Sequence, residues 1–266
     1  MNLSLFRATA KANWLIFIIF FAVLLMYLSI IITMYDPENM EAMELYLETL
    51  PQGMIDAFGY NAAATDLTSF ISLYFYGFII LLFPLIYCII LANRLVAALV
   101  DRGSMAYLLA TPNKRSVIIT TQGVYLVVSI TLLIVLNTAA GIAISELFFP
   151  GEMDIGGFLG LNLATIMLTL TISSICFFYS CIFNETKFAL AFGAGIPLLF
   201  FVINMLRNIN ANYDWLQYLT IYTLFDPLEI LSGEQSLLLI CLIFGGGGFL
   251  LYTAGIIIFS RRNLYL

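Results

Sequence analysis

Six stretches of this chain, 14–34, 69–92, 116–145, 156–182, 188–206 and 236–259, contain no Asp, Glu, Lys or Arg. At 1.5 Å of rise per residue each can cross a hydrocarbon layer about 30 Å thick as a helix. Lipid offers no partner to backbone N–H and C=O groups, so charge-free runs of this length satisfy those groups internally by folding as helices. With 62% hydrophobic and 10% charged residues, the chain also lacks the polar surface of a water-soluble domain. The expected fold class is an all-α polytopic membrane protein with six transmembrane helices, residues 1–266 forming a single transmembrane domain.

Orientation is read from the loops. Arg7, Lys11, Arg94, Arg102, Lys114, Arg115, Lys187, Arg261 and Arg262 fall on one side of the six spans, and only Arg207 on the other. Positive residues mark the cytoplasmic face, so both termini are expected inside. Of sixteen acids, only Asp101 and Glu185 accompany them. Residues 1–13 mix Arg7 and Lys11 with Leu3, Leu5, Phe6 and Ala8, which suggests an N-terminal interfacial helix lying flat before Trp14 opens the first span. A secretory signal is the competing reading. The apolar run exceeds such a core and no small-residue cleavage site follows.

The outer loop 36–67 has seven acids and no base. Asp36 followed by Pro37 is a helix start, and Met40, Met43, Leu47 and Leu50 recur at helical spacing opposite Glu38, Glu41 and Glu48. A short outer helix is expected there, with another turn or two from Pro51 to Phe58, closed by Gly59. Between the fifth and sixth spans, Arg207 to Gln235 is rich in Tyr213, Trp215, Tyr218, Tyr222 and Phe225, as suits helices lying in or dipping into the outer interface.

The cytoplasmic stretch Asn93 to Arg115 is amphipathic. Leu95, Val96, Leu99 and Val100 form a stripe, Asp101-Arg102-Gly103 interrupts it, Met105, Leu108 and Leu109 resume it, and Pro112 closes it. Two short surface helices meeting at a glycine are expected. Spacing alone fits equally a plain connector and a docking element for a partner.

Within the spans, Asn162, Thr165, Thr169 and Ser173 succeed one another at three and four residues, one face of the fourth helix. Such a stripe either lines a path for a partly polar substrate or bonds helices together. Gly193, Gly195 and Pro197 near the inner end of the fifth span mark a hinge. The third span carries Gln122 and Asn137. Gly245 to Gly248 suit close helix packing in the sixth.

Several chemistries are disfavoured or lack their residues. No phosphate-loop motif occurs, so this chain does not hydrolyse ATP unaided. No span holds the ionisable residue that ion-coupled carriers keep at mid-membrane. Without histidine, and with Cys88, Cys176, Cys181 and Cys241 in apolar surroundings and no CxxC pair, neither a metal site nor a buried catalytic constellation can be assembled.

Six spans with both ends inside, the basic prelude, Leu50-Pro51 to Phe58-Gly59, the run R-L-V-A-x-x-V-D-R-G-S-M-A-Y-L-L-A-T-P-x-x-R from Arg94 to Arg115, and the basic end at Phe259 to Leu264 resemble the permease subunit of bacterial ABC-2 type exporters. Relatives often carry an acid just before the D-R-G, where this chain has Ala98-Leu99-Val100. The resemblance implies a multi-pass plasma-membrane subunit that pairs with a second permease chain, as homodimer or heterodimer, and with two cytosolic ATPase subunits. Those partners would bind ATP and Mg, with no cofactor in this chain and no nucleic acid involved. It further implies that Leu95 to Thr111 is the coupling helix between spans two and three. Arg94, Leu95, Leu99, Asp101, Arg102, Gly103, Met105, Leu108, Thr111, Pro112 and Arg115 would then engage the ATPase, and Arg207 to Gln235 would gate the exit. The expected activity is ATP-driven export of an amphipathic or hydrophobic substrate such as a toxin peptide or antibiotic. A non-transporting membrane anchor and an ion-coupled carrier are the alternatives.

Overall fold

A computed structural model of the chain describes residues 1–36, 51, 53–55, 66–209 and 211–262. Its helices are α1 (Leu3–Met34), α2 (Leu67–Asp101), α3 (Met105–Leu109), α4 (Arg115–Phe148), α5 (Ile155–Ile182), α6 (Thr186–Gly193), α7 (Gly195–Ile209), α8 (Pro227–Ser232) and α9 (Leu237–Arg261). Tight 3₁₀ turns at Ala211–Leu219 and Ile221–Leu224 join α7 to α8, and no strand occurs among the described residues. Six segments are long and apolar enough to span: α1, α2, α4, α5, α6 with α7, and α9. The helix expected from Pro37 to Leu50, capped by Asp36, lies outside the described residues from Pro37 on. So do Phe58 and Gly59 of the next turns, while Met54 and Ile55 there donate backbone hydrogen bonds to Pro51 O.

Two expectations are corrected. The basic prelude is not a separate flat helix, because α1 runs unbroken over 32 residues from Asn2, whose side chain accepts from the Leu5 N–H. At 1.5 Å per residue that is about 48 Å, so α1 extends beyond a hydrocarbon layer of about 30 Å. Likewise, residues 93–101 are not a surface helix but the continuation of the second span, which reaches Asp101. Arg7, Lys11 and Arg94 end the charge-free runs without ending the helix, whose hydrogen bonds need only backbone groups.

The fourth span, α5, forms the centre of the bundle. Phe158, Leu161, Leu168, Ile172 and Phe177 along it are buried, and α2, α4, α6 and α9 all pack against it. Small residues set these approaches. A Cβ on Gly141 of α4 would stand 3.0 Å from Leu28 of α1 and 3.2 Å from Phe158 of α5, so three helices meet there. Gly248 and Gly255, seven residues apart on α9, let the α5 backbone come close: added Cβ atoms would lie 3.7 Å from Thr171 Cα and 3.4 Å from Phe178 Cα. Thr171 Oγ1 then donates to Phe244 O at 2.9 Å, tying α5 to α9. Gly246 and Gly247 meet nothing within 4 Å. At the periphery α1 and α9 present Trp14, Ile19, Leu238 and Leu250 outward, the surface a bilayer covers.

Hydrogen bonds gather the basic residues at one end. The Asn2 N–H donates to Thr121 Oγ1 (2.9 Å), Asn2 Nδ2 to Asn113 Oδ1 (3.1 Å), and Arg115 Nη1 to Arg262 O (3.3 Å). Arg262 in turn donates to Ile182 O at the C-terminus of α5, where a cation complements the helix dipole. The ends of α1, α4, α5 and α9 are thereby clasped together. Partial burial lowers the Arg262 pKa.

Candidate functional site

At the basic end, α2 finishes with a wide turn: the Ala98 N–H bonds Asn93 O, five residues back. Below it Leu95, Val96, Val100 and Met105 are buried, so the apolar stripe is the floor of the segment. Gly103 makes the reversal, with φ +70°, a conformation that a side chain disfavours. The turn is held by Gly103 N–H to Val100 O (2.9 Å), Ala106 N–H to Gly103 O (3.1 Å) and Ser104 Oγ to Leu99 O (3.2 Å).

Above this floor Asp101, Arg102, Thr111 and Pro112 are exposed. Neither Asp101 nor Arg102 forms a salt bridge among the described residues. Lys187, from the connection between α5 and α6, pairs with Glu185 at 2.8 Å and also feels the Asp101 charge, so the two loops stand side by side. Tyr107, which the sequence reading did not single out, is 82% exposed at the tip. A buried Met105 and an exposed Tyr107 only two positions apart signal that α3 lies on its side, but that contrast needs the tertiary fold.

Arg94, Leu95, Leu99, Arg102 and Leu108 come together with Thr9, Asn13 and Gln122 around a cavity of about 380 Å³ between α1 and this segment. Thr111, Pro112 and Arg115 stand apart from it, and Arg115 turns to the α9 terminus.

The polar stripe of α5 is inside the subunit. Asn162, Thr165, Thr169 and Ser173 are all buried. Thr165 and Thr169 donate back to Leu161 O (2.8 Å) and Thr165 O (2.7 Å). Asn162 donates to Phe158 O and accepts from Tyr76 OH at 2.8 Å, and Ser173 shares a 2.7 Å bond with Tyr252 OH. Two residues of the stripe therefore join α5 to α2 and α9.

In the fifth span the helix is interrupted at Ala194, between α6 and α7. Pro197 has no N–H to give Gly193 O, four residues earlier. The Cys176 thiol of α5 donates there instead, at 3.1 Å. Gly193 permits the approach, since a Cβ on it would meet Cys176 O at 3.3 Å. All four cysteines are free, Cys88, Cys176 and Cys181 buried and Cys241 half-exposed.

The acidic end holds a second candidate. A second wide turn, closed by the Ile80 N–H to Phe75 O, spans Ser72–Ile79 of α2. Wide turns of this kind recur at functional sites. It faces the segment between α7 and α9, where Tyr213, Trp215 and Tyr218 are exposed while Tyr222 and Phe225 are buried in the bundle. Thr220 Oγ1 anchors the dip by donating to Phe200 O at 3.0 Å, and Tyr222 stacks edge-on against Phe201. Burial raises the Tyr222 pKa, keeping its hydroxyl neutral. Between the wide turn, the end of α7 and this dip lies a cleft of about 200 Å³ that includes Arg207.

A six-span helical bundle with a folded segment at its basic end and a dipping segment opposite defines a polytopic membrane protein. A family model described as ABC-2 family transporter protein matches residues 6–262, and the chain belongs to that family. Comparison with curated proteins and with solved structures returned no match.

Proposed function

We propose that this chain is the permease subunit of an ATP-driven exporter, carrying an amphipathic or hydrophobic substrate out of the cell. It sits in a bacterial plasma membrane with both termini inside, pairs with a second permease chain, and is moved by cytosolic ATPase subunits that bind ATP and Mg. One observation carries the reading: at the basic end, Asp101 and Arg102, which form no salt bridge among the described residues, and the exposed Tyr107 stand on a buried floor of Leu95, Val96, Val100 and Met105. Exposed surface charges cost little to leave in water and are available to a complementary groove. Residues 94–101 of the segment continue α2, so a displacement at its C-cap Arg102 is passed to the second span.

The α5 stripe is given a packing role, because its hydrogen bonds are spent within the bundle. The interruption at Ala194 is the proposed hinge, and the dip at Tyr222 the exit gate. The test is copurification with the ATPase encoded beside the gene. A stable complex whose nucleotide turnover depends on this subunit is expected; turnover indifferent to it contradicts the proposal.

A further inference from the structure

The acidic-end cleft combines features that packing alone does not require. Arg207 is the sole basic residue of that end and forms no salt bridge among the described residues. Beside it the wall carries Asn204 and Asn208 from α7, Glu229 from α8, and Asp226, the residue that caps α8. Asp226 Oδ1 caps α8 by accepting from the Leu228 and Glu229 N–H groups, and Glu229 Oε2 accepts from Gln235 Nε2 at 2.7 Å. Their second oxygens, Asp226 Oδ2 and Glu229 Oε1, accept no hydrogen bond among the described residues.

Two residues of the inner wall, Ser72 and Tyr222, are more than nine-tenths buried, and each holds a hydroxyl without a hydrogen-bond partner among the described residues. A buried hydroxyl left unbonded costs roughly 1–3 kcal/mol, so such groups in a cleft wall point to a missing polar partner. One guanidinium among amides and hydroxyls suits an oxoanion, while two carboxylates in the same wall repel a simple anion and attract an amine. Exposed Tyr213, Trp215 and Tyr218 beside the cleft belong at headgroup depth, where the bilayer itself supplies ligands.

We infer that this cleft binds a zwitterionic group that joins an oxoanion to a primary ammonium, as a phosphoethanolamine lipid headgroup does, with the phosphate at Arg207 and the ammonium at Asp226 and Glu229. The inference stands whether or not the chain transports.

The test is native mass spectrometry of the detergent-purified chain titrated with phosphatidylethanolamine, phosphatidylcholine or phosphatidylglycerol, with glycerophosphoethanolamine and glycine as water-soluble arms. Phosphatidylethanolamine is expected to bind at least tenfold tighter than the other two lipids. Choline lacks N–H donors and glycerol lacks the cation. Arg207→Gln should weaken binding of all three lipids at least tenfold, Glu229→Gln should narrow the gap between phosphatidylethanolamine and phosphatidylglycerol, and Tyr222→Phe should weaken binding a few-fold. A soluble zwitterion binding as tightly as the lipid would assign the site to a water-borne ligand and overturn the lipid source. Equal retention of all three lipids, or an Arg207→Gln chain that binds unchanged while keeping its melting temperature, would overturn the site itself.

Discussion

The two ends of α2 are built alike and finished in opposite ways. Each carries a wide turn, Ser72–Ile79 at one end and Asn93–Ala97 at the other, and each borders a cavity. At the basic end the apolar residues are buried and the charged ones exposed, which leaves a firm knob. At the acidic end the Ser72 and Tyr222 hydroxyls are buried while the Tyr213, Trp215 and Tyr218 rings are exposed, which leaves a lined hollow. A knob suits a protein partner that arrives from water, whereas a hollow with unbonded hydroxyls suits a small polar group. One continuous helical segment, Leu67–Asp101, connects them, about 50 Å long at 1.5 Å per residue, with Pro84 inside it.

The sharpest way to break this contrast is to reverse charge on the knob. Asp101→Lys combined with Arg102→Glu should reduce ATPase coupling more than tenfold while membrane insertion and melting temperature stay unchanged, since both side chains are exposed. Transport at full rate would remove these residues from the contact. Gly103→Val comes next. Its φ of +70° disfavours a β-branched side chain by about 1–2 kcal/mol, and a several-fold loss of complex stability, seen by copurification, is expected.

In the hollow, Tyr222→Phe should raise the unliganded melting temperature or leave it alone, because an unbonded buried hydroxyl is removed at a gain on the order of 1 kcal/mol. A clear drop would reveal a partner for that hydroxyl. Between the two ends, Asn162→Leu should destabilise by about 1–3 kcal/mol through the stranded Tyr76 hydroxyl, without altering which substrates are exported. A changed substrate range would restore the α5 stripe as a pathway. Cys176→Ala should have the smallest effect, about 1 kcal/mol, from the loss of the donor to Gly193 O.

How much of this could be read from residues alone differs by level. The six spans were legible because absence of charge over some twenty residues is a local property. Their ends were not: Arg7, Lys11 and Arg94 ended the apolar count, yet the helices continue as far as Leu3 and Asp101. The Asp101-Arg102-Gly103 reversal was visible in the sequence, and the glycine does adopt the left-handed conformation there. Tyr107 was missed because exposure within an amphipathic turn depends on what lies beneath it. Ser72 and Tyr222, 150 positions apart in sequence, become neighbours in one wall only through the dip after α7. No residue pattern announces an i→i+5 turn, and no spacing rule joins the two.

Tyr107 at the basic end and Tyr218 at the acidic end are 82% and 83% exposed, matched probes of the two surfaces. Photo-crosslinking residues placed at these positions, one at a time, in cells that also make the neighbouring ATPase give the most direct measurement. Position 107 is predicted to capture the ATPase subunit and position 218 to capture none of it. No adduct at 107, or equal adducts at both, would contradict the docking of a motor on the basic end.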